Sequence, residues 1–394
     1  MVNKFSFANL TAGFVAVMVG FTSSVVIIFQ AAAAVGANSA EVGSWLLALG
    51  LGMGITSIGL SLFYRMPILI AWSTPGAALL VTSLAGVSMP EAIGAFIFSA
   101  LLILIAGLTG WFEKLMTYIP RSLTSAMLAG ILLQFGMNLF VAMQQQFVLV
   151  TVMLIGYLFG RQLFPRYVII LSLTLGIAIA VYEGLFDLTH CHFALSIPQW
   201  VFPVFSWPVL VSIGIPLFVV TMTSQNMPGV AVLRTAGYNP PISPLISWTG
   251  LTTLVLAPFG GYAFNLAAIT AAICMGEEAD VNPAKRYRAT VWAGIFYVVT
   301  GILGASVVAL FAAFPKALVL AIAGLALLNT IGSSLKLAIE DEAHREPALI
   351  TFLVSASGMS LLGIGSAFWG LVAGALGFVI NSTILSAKRE LVET

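Results

Sequence analysis

Between Lys4 and Glu113 the chain carries only three charged side chains, Glu41, Arg65 and Glu91. A water-soluble globule cannot be covered by so little polarity, whereas a bilayer core of about 30 Å accepts helical runs of roughly 20 apolar residues. The pattern persists to the end: 7% of the 394 residues are charged and 60% hydrophobic, with a mean hydropathy of +1.08. Composition therefore predicts an integral membrane protein. A net charge of +1 gives no basic stripe for nucleic acid, and no zinc-ligand set or phosphate loop is present, so no cofactor is implied. The first apolar segment is too long for a signal peptide and lacks a small-residue cleavage site. No disulfide is inferred between Cys191, in a polar connection, and Cys274, in an apolar one, and His190 and His192 stand too close together to wrap one metal.

Cutting the apolar runs at charged or proline-rich junctions gives spans near 10–36, 39–64, 67–86, 90–110, 120–143, 145–163 and 165–184. A polar loop follows, and then come 207–233, 242–257, 258–275, 286–313, 315–338, 346–363 and 365–387. With this parity fourteen of the fifteen Lys and Arg residues fall on one face and only Lys316 on the other. The positive-inside rule then predicts a multi-pass membrane protein with both termini cytoplasmic. Two halves of seven spans insert with opposite topology, so the fold class expected is an all-α membrane protein with a 7+7 inverted repeat.

The third span of each half is unusual. "RMPILIAWSTPGAALLVTSLAG" and "APFGGYAFNLAAITAAICMG" each start near a proline, pass aromatics and reach a polar spot followed by small residues. From Pro67 to Ser73 an extended chain covers about 23 Å, and a helix from Pro75 adds about 18 Å, enough together to cross. "STPG" reads as a helix start, with Thr74 or Ser73 as cap and Pro75 at the first helical position; Asn265 is the corresponding cap after "GGYAF". The alternative is two ordinary helices, kinked at Pro75 and loosened at Gly260 and Gly261.

In the eighth span, "TMTSQNMPG" places Thr221, Ser224, Gln225 and Pro228 on one helical face near mid-membrane. Helix packing accounts for single polar residues of this kind; so many together suit a solvated binding site. "GFTSSVV" puts a smaller patch, Thr22, Ser23 and Ser24, midway along the first span, where packing competes more strongly. Gln134, Asn138, Asn329 and Asn381 stand singly and read as helix-to-helix contacts. No Asp or Glu lies at the centre of a span, and without clustered intramembrane His, Asp or Glu an enzyme is not expected.

The motifs "YRMPILIAWSTPGAALL", "TMTSQNMPGVAVLRTAGYNPP" and "FGGYAFNLAAITAAICMGEEA" resemble the benzoate:proton symporter (BenE) family nearly end to end. That family is similar in fold to nucleobase permeases, sulfate permeases and anion exchangers. The resemblance implies a core domain, 1–110 and 207–313, a gate domain, 111–184 and 314–394, and an extracytoplasmic loop at 185–206. It implies short strand-plus-half-helix spans three and ten, with substrate between them and beside span eight. Carried over by position, this points to Ser73, Thr74, Gly76, Gln225, Asn226, Tyr262, Phe264 and Asn265, to which the first-span patch adds Thr22 and Ser23. Where nucleobase permeases carry glutamates on spans eight and ten, Gln225 and Phe264 or Asn265 stand here, which suits an anion and leaves the proton carrier unassigned. The implied partners are an aromatic carboxylate such as benzoate, protons and the lipid bilayer; self-association stays open.

Overall fold

The computed structural model describes residues 7–111, 120–165, 167–186, 193–362 and 364–393, apart from the side chains of 23, 235, 343, 364 and 382–393. Helices α1 (Phe7–Ala34) and α2 (Ser39–Tyr64) are followed by strand β1 (Ile70–Trp72), α3 (Thr74–Ser83) and α4 (Met89–Leu108). Next come α5 (Arg121–Gln145), α6 (Phe147–Leu163) and α7 (Val168–Tyr182). After the connection lie α8 (Trp207–Arg234), α9 (Ile242–Leu256), strand β2 (Phe264–Leu266), α10 (Ile269–Met275) and α11 (Tyr287–Ile302). The chain closes with α12 (Gly304–Ala312), α13 (Lys316–Ile339), α14 (Arg345–Ala356), a short hairpin of β3 (Ser360–Leu361) and β4 (Ile364–Gly365), and α15 (Ser366–Glu393).

Among the described residues six helices are long and apolar enough to cross a membrane, or eight if two bent pairs each count once. Outer faces are apolar too, as the shorter apolar helix α6 shows with Phe147, Ile155, Leu158 and Phe159 all exposed. Two of the scarce acids have a local task. Glu41 and Glu91 complete capping boxes with Asn38 and Ser88, holding the first turns of α2 and α4.

Neither unusual segment is a continuous helix. β1 and β2 pair antiparallel with Ile70 opposite Leu266, Ala71 opposite Asn265 and Trp72 opposite Phe264. Ser73 N–H to Ala263 O (3.1 Å) and Ala267 N–H to Leu69 O (2.9 Å) extend the ladder. A two-stranded sheet in an apolar interior has two bare edges, and each unpaired amide there would be costly. Side chains supply the acceptors: Ser57 of α2 for Ile70 N–H (2.9 Å), Thr253 of α9 for Phe264 N–H (3.1 Å) and Asn226 of α8 for Leu266 N–H (2.9 Å).

α2 lies against α11 and α4 against α9, α5 packs on α13, and α6 packs on α7. The described part of the connection between α7 and α8 is pinned where Val201 N–H meets Pro258 O, Val204 N–H meets Pro90 O and Ser196 N–H meets Ile302 O, each at 2.9 Å. Buried Arg286 closes the far end of α10: Nη1 donates to Met275 O at 2.7 Å and Nε to Asp280 O at 2.8 Å. A helix C-terminus carries unpaired carbonyls and partial negative charge, so an arginine there both bonds and compensates it. Cys274 is a buried free thiol, while Cys191, His190 and His192 lie outside the described residues.

Candidate substrate site

Because β1 and β2 are antiparallel, the helices that follow them, α3 and α10, depart in opposite directions. Both starts border one cavity of about 600 Å³, within the range of small-molecule sites. One wall is made of Thr22 and Ser24 of α1, Trp72, Thr74 and Pro75, Ser224, Gln225 and Pro228 of α8, Ala267 to Thr270 at the start of α10, and Tyr297 of α11. The lining also includes Tyr157 and Arg161 of α6, Val168 to Ile170 of α7, and Leu325 to Leu327, Asn329, Thr330 and Ser333 of α13.

Three of the sequence-derived site residues line this space. Gln225 is half-buried and makes no hydrogen bond among the described residues, so its amide can both donate and accept toward the cavity. Thr74 is the first helical residue of α3, and the Thr22 hydroxyl donates back to Met18 O at 2.6 Å, leaving its oxygen as an acceptor. Trp72 forms part of an apolar wall, fixed by its indole N–H to Ser24 Oγ at 2.8 Å and by Phe21 at 5.5 Å between ring centroids. Ser23 has its side chain outside the described residues.

The remaining candidates are buried parts of the frame and do not line the cavity. Ser73, not Thr74, is the cap of α3: its Oγ accepts the Gly76 N–H at 3.0 Å, and Pro75 is the second helical residue rather than the first. Replacing Ser73 by Ala is expected to lower stability by about 1 kcal/mol, read as a lower melting temperature, whereas Thr74→Val should leave that temperature unchanged and impair uptake. Asn265 is not a cap either. It sits inside β2, its amide donates to Ala263 O at 3.0 Å, and α10 starts later, after Ala268. An asparagine before an apolar run looks the same in sequence whether it caps a helix or belongs to a strand.

Asn226 points away from the cavity to hold Leu266, with its Nδ2 against Met222 Sδ at 3.3 Å. The motif's Gly229 belongs to the same contact: a Cβ there would fall 2.7 Å from Leu266 O, so only glycine lets α8 touch β2 this closely. Tyr262 packs between Trp45 and Phe96, at 6.1 and 5.6 Å between centroids, and Phe264 fits against Gly52. These aromatics are core, and the aromatic side chains that line the cavity are Trp72, Tyr157 and Tyr297.

Two π-helical turns, Leu210–Gly214 and Met222–Asn226, interrupt α8. The second rotates the polar stretch, so that Ser224 and Gln225 face the cavity while the Thr221 hydroxyl is buried without a partner. Arg161, Thr270 and Tyr297 also line the cavity without having been singled out in the sequence, while Asn329, read there as a helix-to-helix contact, does bridge α13 to Arg161 of α6 and lines the cavity as well. Arg161 left one signal, a charge just inside the end of an apolar run.

A mostly helical chain that brings two strand–helix units to one partly polar cavity has the fold of a membrane transporter. Solved structures agree at the level of fold. The chain matches the structure of SLC26A9 with a TM-score of 0.58 and 12% identity, covering 93% of this chain and 66% of that one. It matches the transmembrane domain of the cyanobacterial bicarbonate transporter BicA with a TM-score of 0.56 and 14% identity, covering 95% and 98%. The chain belongs to the benzoate membrane transport protein family, BenE, whose profile matches residues 3–380. It is 48% identical over 381 residues to the inner membrane protein YdcO of Escherichia coli (strain K12), covering 97% of both chains. It is 41% identical over 375 residues to the benzoate membrane transport protein of Acinetobacter baylyi (strain ATCC 33305 / BD413 / ADP1), covering 95% of both. Membership makes this protein a transporter and not an enzyme.

Proposed function

We propose that the protein imports benzoate or a similar aromatic carboxylate across the bacterial cytoplasmic membrane by proton symport with alternating access, both termini being cytoplasmic. The observation that carries the substrate class is the cavity. It offers hydroxyls, a free amide and two helix starts, with Trp72 and Tyr297 for a ring, and no carboxylate lines it among the described residues. Helix starts present unpaired amides and partial positive charge, which favours an anion. The start of α10 has no side-chain cap, while that of α3 is partly satisfied by Ser73. Benzoate in particular, and the proton, come from family likeness.

The architecture that supports this mechanism is fourteen spans in a 7+7 inverted repeat. Six full spans and two bent ones, three shorter apolar helices (α6, α7, α15), two strand–helix units and α14 make that number. A pseudo-two-fold relation accounts for three reciprocities at once: α2 with α11 mirrors α4 with α9, β1 pairs with β2, and the second span of each half supplies the hydroxyl, Ser57 or Thr253, that accepts from the following strand. The two cavity walls correspond to a core domain, 1–110 and 207–313, and a gate domain, 111–184 and 314–394. Movement of one against the other exposes the cavity to each side in turn.

In proteoliposomes, labelled benzoate is expected to accumulate under an inward proton gradient, with competition by benzoate and not by sulfate. Uptake indifferent to a protonophore would refute the coupling, and competition by sulfate or bicarbonate with none by benzoate would make it a carrier of small inorganic anions. Gln225→Ala should weaken benzoate binding several-fold with an unchanged melting temperature. Equal affinity in the purified variant would return Gln225 to a packing role.

A further inference from the structure

The core wall of the cavity offers an anion only partial charges. On the gate wall Arg161 is the single Asp, Glu, Lys, Arg or His residue among the described lining residues. Its guanidinium is held by two neutral groups, Nη2 donating to Asn329 Oδ1 at 3.0 Å and Nη1 lying 3.5 Å from the Tyr157 hydroxyl. Asn329 stands on α13, 168 positions away in sequence, and lines the same cavity. No carboxylate pairs with Arg161 among the described residues.

A guanidinium has five N–H donors in a rigid fork, and these contacts occupy two of them. An arginine acting only as an interfacial anchor would extend its head toward the headgroups. Arg161 is exposed but tethered to Asn329 of α13, and this leaves its free donors beside the cavity. Asn329 and Tyr157 fix its direction without neutralising it.

We propose that Arg161 is the residue that reads the substrate's negative charge: it pairs with the carboxylate from the gate wall, and Asn329 is its positioning residue. The proposal rests on the reading of this cavity as an aromatic-acid site. It adds a full positive charge to a site whose core side supplies only dipoles, and it divides recognition between the two walls that move against each other. The carboxylate then bridges the two during transport, held between the helix starts and Arg161, with its ring against Trp72 and Tyr297.

The test compares benzoate with benzamide, a neutral molecule of nearly the same shape, by calorimetry on the full-length protein in detergent. The unmodified protein should prefer benzoate. Arg161→Gln should lower benzoate affinity at least tenfold and leave benzamide within about threefold, while Arg161→Lys should fall between. Asn329→Ala, which keeps the charge but removes its tether, should lower benzoate affinity several-fold and spare benzamide. A smaller loss of benzoate binding in Arg161→Gln, or parallel losses of both ligands, overturns the proposal. Asn329→Ala decides by the same selectivity if the arginine variants do not fold. An unmodified protein that binds neither aromatic ligand removes the aromatic-acid site and this proposal together, an outcome distinct from a change confined to the variants.

Discussion

Replacing Gly50 by Val is expected to leave little folded protein and no benzoate binding. A Cβ at this position would lie 2.5 Å from Gly301 Cα, 2.6 Å from Tyr297 O and 2.8 Å from Gly301 N, all of them backbone atoms or a carbonyl. No side chain can rotate away to relieve the contact, so α2 and α11 must separate. In lipid, helices gain no hydrophobic drive to associate; close contact at small residues is what holds them. Overpacking a fitted interior costs about 1–3 kcal/mol and occasionally more, and a backbone-to-backbone site belongs at the upper end. Separation would also displace Tyr297, which lines the cavity from α11. Yield of monodisperse protein and its melting temperature are the readouts. A Gly50→Val protein that melts like the unmodified one would mean the two helices do not meet there.

Asn226→Ala should lower stability and substrate affinity together, because Asn226 holds the frame of the site and not the substrate. Its Oδ1 accepts the Leu266 N–H at 2.9 Å, and both groups are buried. Truncation leaves that amide without an acceptor, at a cost of about 1–3 kcal/mol. β2 then loses its tie to α8, and the start of α10, which follows three residues later at Ile269, loses its fixed position. Weaker benzoate binding with an unchanged melting temperature would contradict this and make Asn226 a ligand. Gln225→Ala should show that second pattern, so two adjacent residues of one polar motif are expected to give opposite signatures.

That contrast shows what the residues alone could and could not reveal. The membrane character and the polar mid-span stretch of α8 follow from composition and spacing, local properties of the chain, whereas the proline and glycine positions fit both a strand–helix break and a kinked helix. Which member of a polar cluster faces the cavity is not local. The π-turn at Met222–Asn226 shifts the helical phase without a compositional trace, so Thr221 and Gln225, four residues apart, do not share the environment that regular spacing gives them. Tyr262 and Phe264 have the right chemistry for a ring wall, yet Trp45, Phe96 and Gly52 claim them for the core. Arg161 and Asn329 are single polar residues in separate apolar segments, and only the packing of α6 near α13 brings them together.

Under the proposed function, the two strand–helix units create one carboxylate site in the cavity they both border. Anomalous diffraction from crystals grown with 4-iodobenzoate tests it most directly. The expected result is one strong iodine peak inside the cavity beside Trp72 and Tyr297, with the carboxylate directed toward Gln225, the helix starts or Arg161. A peak outside this cavity, in protein that still takes up benzoate, would contradict the account.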